Sequence, residues 1–91
     1  MRLTWAPEAR HQLADIWHYI ALDNPTAAER MVTRLVTAVE KLNHFPHLGR
    51  PGREGSRELP VSGTPFIVVY RLQGDQIRIV TILHGAQRGS E

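Results

Sequence analysis

The chain has 91 residues, of which 42% are hydrophobic and 22% charged, a mixture typical of one globular domain with one core rather than of a disordered or fibrous protein. It contains no cysteine, which excludes a disulfide framework or a thiolate metal site and favours a reducing cytoplasm, and no apolar run is long enough to cross a bilayer. The sequence predicts a single soluble domain over residues 1–91. Its net charge is +2, and its basic residues are ten arginines and one lysine. Arginines suit an acidic protein partner or nucleic acid, although a GC-rich genome would give the same arginine bias.

The chain is predicted to begin with a short strand and a helix. Residues 3–5 have the pattern of a strand, and the proline and acid at residues 7–8 favour the first turn of a helix that ends near Leu22. Apolar side chains recur along this helix at three- and four-residue spacing, at Leu13, Ile16, Trp17 and Ile20. Both Trp5 and Trp17 are therefore interpreted as packing anchors in the core.

A second helix is predicted to follow at once. Asn24 is a favoured N-cap residue, and Pro25 suits the first helical position. The apolar stripe of this helix consists of Ala28, Met31 or Val32, Leu35, Val39 and Leu42. With so short a connection, the two helices are expected to form an antiparallel hairpin. Two prolines and three glycines then predict a surface loop over residues 45–56.

The C-terminal part is predicted to be a β-hairpin over residues 64–84. Residues 66–72 and 77–83 are rich in β-branched and aromatic side chains, and a polar turn containing Gly74 separates them. Near-continuous apolar runs place these two strands in the middle of a sheet that carries helices on one side. A short strand at residues 57–59 precedes them. The expected fold class is α+β, with the order β-α-α-β-β-β and a helical hairpin packed on an antiparallel sheet.

Four segments give the chain a resemblance to the RelE/ParE family of type II toxins. They are residues 5–9 with the apolar helix positions that follow, residues 45–50, residues 66–71, and residues 82–85. The resemblance implies the toxic half of a two-gene operon, whose antitoxin wraps the toxin and usually binds DNA. A cognate antitoxin in a hetero-oligomer is therefore the expected partner, with operator DNA contacted only through the antitoxin, no membrane partner and no cofactor. Some family members cleave messenger RNA on the ribosome, whereas the ParE branch poisons DNA gyrase.

The sequence departs from the nuclease branch of the family it resembles. That branch has an arginine two or three positions before the strand's Val-Tyr, and an arginine and a Tyr or His near its C-terminus. Here residues 66–68 are all apolar, Gly85 stands near the place of the second arginine, and the last residue is Glu91. If the chain is a nuclease, the remaining candidates for catalysis are Arg57, Arg71, His84 and Arg88. A histidine can act as a general base near neutral pH, but His84 can equally well close the last strand.

The same residues are candidates for binding a target or the antitoxin. Arg71 and Arg78 are expected to face each other across the hairpin and, with Arg57, to form a cationic patch for phosphate or acidic groups, unless they are only the solvated surface of the sheet. His84 and Arg88 complete this binding set. No metal site is expected, because a loop separates the two histidines at residues 44 and 47 from helical alignment.

Three functions follow from these observations. The favoured one is a ParE-like toxin that acts on DNA gyrase by binding and has no catalytic residues. The second is a ribosome-dependent endoribonuclease, an mRNA interferase, with a degenerate site. The third is a non-toxic plasmid-stabilisation module that joins its antitoxin in repressing their operon.

Overall fold

The computed structural model describes residues 1–85, which form two helices and a five-stranded sheet. The elements run β1 (Arg2–Trp5), α1 (Pro7–Ala21), α2 (Pro25–Glu40), β2 (Arg50–Pro51), β3 (Arg57–Pro60), β4 (Phe66–Gln73) and β5 (Gln76–His84), with short 3₁₀ turns at Lys41–Asn43 and Arg53–Gly55. The predicted α+β fold and the order of its main elements are confirmed. Strand β2 is an addition, since it lies inside the segment predicted to be a loop.

The sheet has the strand order β1-β5-β4-β3-β2, so the hairpin strands β4 and β5 are central, as predicted. Strands β2 to β5 pair with their neighbours in antiparallel fashion, but β1 pairs with β5 in parallel, with Leu3 opposite Ile77. The sheet is therefore mixed rather than wholly antiparallel. Residues 2–5 carry no local signal for this pairing, because their partner lies more than 70 positions along the chain.

The helices begin where their capping residues predict. Pro7 occupies the first turn of α1, and the Asn24 side chain caps α2 by accepting a hydrogen bond of 3.0 Å from the backbone N–H of Ala27. Helix α1 ends at Ala21, one residue before the predicted end. Within residues 1–85 no helix is both long enough and apolar enough to span a membrane.

The core lies between the helices and one face of the sheet. Helix α2 contributes Leu35 and Val39, which are fully buried, and the sheet contributes Tyr70, Ile77 and Ile79, which are also fully buried. Because alternate residues of a strand point to opposite faces, these positions define a helix-side face and leave the residues between them on an outer face.

The two tryptophans have different environments. Trp5 is partly buried and packs on the core, as predicted. Trp17 is 38% exposed and contacts the ring of His18 edge-on, so the interpretation of Trp17 as a core anchor is wrong. The buried stripe of α1 runs through Ala9 and Ile16, and Trp17 lies about 100° around the helix from Ile16, beyond the edge of that stripe.

Candidate functional site

Two arginines face each other on the outer face of the central hairpin. Gly74 adopts a positive φ of 60° and allows a tight turn, which sets the register that places Arg71 directly opposite Arg78, as predicted. An Arg78 Nη1 group donates a hydrogen bond of 3.3 Å to the Thr4 hydroxyl, and Arg71 donates one to the carbonyl oxygen of Glu54. Within residues 1–85 neither guanidinium has a carboxylate partner. Like charges opposite each other repel, so the pair favours an anion from outside the chain.

The loop before β3 borders this pair and brings its own charges, which are already partnered. Glu58 on β3 is only 4% exposed, and its carboxylate lies 3.6 Å from the Arg50 Nε. Glu54 has a positive φ of 53°, and its backbone carbonyl points towards Arg71. Glu58 is thus paired with Arg50, and among residues 1–85 neither arginine of the pair lies within ion-pair distance of a carboxylate.

Arg57 does not join the other two arginines. It lies opposite Tyr70 in the pairing of β3 with β4, which puts it on the helix side of the sheet, whereas Arg71 is the next residue along and points to the outer face. The Arg57 guanidinium donates a hydrogen bond of 2.5 Å to the carbonyl oxygen of Gly49. The structure therefore does not form the predicted three-arginine patch.

Tyr70 also hydrogen-bonds to the loop after α2, which contains Gly49. Its hydroxyl donates a hydrogen bond of 2.7 Å to the Pro46 carbonyl and accepts one of 2.9 Å from the Gly49 N–H. Burial raises the pKa of Tyr70 above its usual value, partly offset by the hydrogen bond from Gly49 and the charge of Arg57. Tyr70 thus packs and hydrogen-bonds within the fold. The sequence did not indicate that its partners lie in the loop after α2.

His84 lies at the other end of the hairpin. It is opposite Phe66, with the two rings edge to face at 5.6 Å, and it lies on the helix side. It lies six positions along β5 from Arg78, which is about 20 Å at the rise of a strand. His84 instead lines a largely apolar groove of about 410 Å³, whose other walls are Asp15, Ile16, Tyr19, Ile20, Met31, Pro65 and Phe66.

The candidate residues therefore occupy separate places. The structure brings together Arg71 and Arg78, and it places Arg57 and His84 on the opposite face of the sheet, at different ends. Arg88 lies outside the described residues. Two further cations were not singled out from the sequence. Arg34 lies on α2 and Lys41 directly follows it, and their spacing of seven residues puts both side chains on one side of the helix.

The comparisons with known proteins agree with this architecture. Residues 3–89 match the model of the ParE toxin of the type II toxin-antitoxin system parDE. A putative toxin, Y4kP of Sinorhizobium fredii, is 41% identical over 96% of this chain and 91% of its own, and toxin RelE2 of Caulobacter vibrioides is 35% identical over 94% and 97%. A solved structure described as a chromosomal ParDE TA system from P. aeruginosa superposes with a TM-score of 0.82, at 32% identity, over 92% of this chain and 95% of that one. The chain belongs to the RelE/ParE family of type II toxin-antitoxin toxins, to which the model of the ParE toxin assigns it.

Proposed function

We propose that this toxin inhibits growth by binding its target rather than by cutting RNA, and that the target is DNA gyrase. The observation that carries the proposal is the dispersal of the candidate catalytic groups. Phosphodiester cleavage needs a base, an acid and a cation around one phosphate. Arg57 and Arg71 lie on opposite faces of the sheet, and His84 is about 20 Å along β5 from the arginine pair.

The arginine pair supports a binding role. Two guanidinium groups on adjacent strands can each make bidentate contacts with carboxylates, and rigid central strands hold them in place. Such a pair fits an acidic protein surface. The match to the model of the ParE toxin supports gyrase as the protein that carries that surface, because the ParE branch acts on it.

The family also supports an antitoxin as the partner that neutralises this chain. In this proposal a cognate antitoxin binds the toxin in a hetero-oligomer and blocks its access to gyrase, and operator DNA is contacted through the antitoxin alone. The similarity to a structure of a ParDE system supports this partnership.

The test is induced expression of three versions of the toxin, with and without the protein encoded by the adjacent gene. The wild type and His84→Ala should both arrest growth, induce the DNA-damage response, and produce linear plasmid in a purified gyrase reaction. The double variant Arg71→Gln/Arg78→Gln should lose at least about tenfold in the gyrase reaction, because both cations are removed from the binding face. Coexpression of the adjacent gene should restore growth.

Primer extension on cellular messages separates the binding role from the nuclease. Codon-spaced cuts that disappear in His84→Ala, together with an unaffected gyrase reaction, would show that the toxin is a ribosome-dependent nuclease. Arg71→Lys/Arg78→Lys is the matched control for the double variant, because it keeps both charges and removes only the planar fork.

A further inference from the structure

A second groove lies on the helix side of the sheet, away from the arginine pair. It runs between the C-terminal half of α2 and the segment that joins β3 to β4, and its volume is about 630 Å³. The residues that line it include, on the helix side, Arg34, Thr37, Ala38 and Lys41, and on the facing side, Leu48 and Val61. Among residues 1–85, none of those that line it is acidic.

The groove contains two cationic side chains, Arg34 and Lys41. Arg34 and Lys41 are seven residues apart, so they lie on one face of the helix and are separated by about 10 Å along its axis. Both side chains are exposed, and within residues 1–85 neither has a carboxylate partner. The groove therefore presents a positive charge near each end.

The guanidinium of Arg34 is in contact with the turn between β3 and β4. The guanidinium of Arg34 lies directly against Gly63, which has a positive φ of 79°. A Cβ atom at this position would lie 3.1 Å from Arg34 Cζ and would clash with Nη1. The Arg34 guanidinium therefore contacts this turn directly, at a position whose backbone conformation glycine readily adopts.

The rest of the groove is apolar in part. Between the cations the helix presents Thr37 and Ala38. Leu48 is 51% exposed although it is a large apolar side chain, and with Ala38 and Val61 it belongs to the apolar part of the lining. An amphipathic helix lying along α2 would match this pattern. Its carboxylates at positions i and i+7 would reach the two cations, and apolar side chains at i+3 and i+4 would contact the apolar part of the lining. A strand fits less well, because side chains about 10 Å apart on a strand point to opposite faces.

We propose that an acidic amphipathic helix of the antitoxin docks in this groove, with two carboxylates two turns apart paired to Arg34 and Lys41. The proposal rests on the proposed function only in that an antitoxin binds this chain. It places part of the contact between antitoxin and toxin on the side of the sheet that carries α2. The antitoxin would therefore bind the face opposite Arg71 and Arg78. Complementary charges of this kind set the partner choice and the register of an interface.

The test measures the affinity of fluorescently labelled antitoxin, the product of the adjacent gene, for purified toxin variants. Arg34→Glu and Lys41→Glu should each weaken binding by about fivefold to tenfold, and the double variant by at least about thirtyfold, with a smaller dependence on salt. Arg10→Glu is the matched control, because Arg10 is an exposed arginine on α1 that lines no part of the groove. It should stay within about twofold of the wild type.

Two further measurements keep the result interpretable. Circular dichroism and thermal unfolding identify any variant that has lost its fold, and the milder Arg34→Gln/Lys41→Gln pair should weaken binding by about fivefold. Hydrogen exchange of the complex should protect amides of residues 59–63. If wild-type toxin binds and the charge-reversed double variant binds within about twofold of it, the groove is not the docking site and the proposed function stands. If the wild type does not bind the antitoxin at all, the proposed function itself fails on this point.

Discussion

The Tyr70 hydroxyl offers the sharpest test of how the loop after α2 is held. Tyr70→Phe keeps the ring and removes the group that bonds to both Gly49 and Pro46. Because Gly49 is buried against the ring, water cannot replace the hydroxyl as the acceptor of its N–H, and the donor is left unsatisfied. Two lost hydrogen bonds and one unsatisfied buried donor amount to about 2–3 kcal/mol.

We therefore expect the free energy of unfolding to fall by about 2–3 kcal/mol in Tyr70→Phe, and the melting temperature to fall by roughly 10–20 °C for a domain of this size. Urea denaturation followed by circular dichroism measures the first, with an unchanged m-value. Tyr19→Phe is the matched control, because Tyr19 is 79% exposed and should change stability by less than about 0.5 kcal/mol. A Tyr70→Phe protein within about 0.5 kcal/mol of the wild type would refute this account of the loop.

Tyr70 also predicts how the stability of the fold changes at alkaline pH. Burial raises the pKa of Tyr70 in the folded protein above its value in the unfolded chain. Its contribution to stability is therefore fully present below about pH 10 and is lost as the pH rises through the higher folded pKa. The stability gap between the wild type and Tyr70→Phe should narrow above about pH 10. A gap that widens in that range would contradict the assigned direction.

Two further substitutions test the core and the helix cap. Leu35→Ala, at a fully buried position, should lower the free energy of unfolding in urea by about 2–5 kcal/mol, whereas Leu22→Ala, at a side chain that is 85% exposed, should change it by less than about 0.5 kcal/mol. Asn24→Ala should lower the free energy of unfolding by about 1 kcal/mol, because it removes the cap of α2. Asn24→Asp keeps an oxygen acceptor and should retain most of the stability. Equal losses in the two variants would argue against the capping role.

The features that the sequence predicted well are those set by neighbouring residues. The apolar stripe through Leu35 and Val39 follows from helical spacing alone. The facing of Arg71 and Arg78 follows from a turn that lies between them, so the register needed no information from elsewhere in the chain. Capping at Asn24 likewise joins residues only three positions apart. In each case the interaction that fixes the structure spans few residues.

The features that sequence reasoning missed depend on distant partners. The face on which Arg57 lies is set by its pairing with Tyr70 across the β3–β4 connection. The local sign of that face is Leu59, which packs in the core two residues further along the strand. The hydrogen bonds of Tyr70 reach back more than 20 positions. Trp17 shows a different limit, because a residue at the edge of a helical stripe can be buried or exposed depending on how the helix is rotated against the sheet.

The parallel pairing of β1 with β5 has a consequence for how the toxin folds. The hydrogen-bond partners of β1 are residues 76–79, more than 70 positions further along the chain. Leu3 and Trp5 therefore have no neighbouring strand to pack beside until β5 has formed. Contacts of such long sequence separation also form late in folding, because the chain entropy of closing the loop must be overcome first. Completion of the five-stranded sheet therefore depends on bringing residues 2–5 against residues 76–79, across more than 70 positions of the chain.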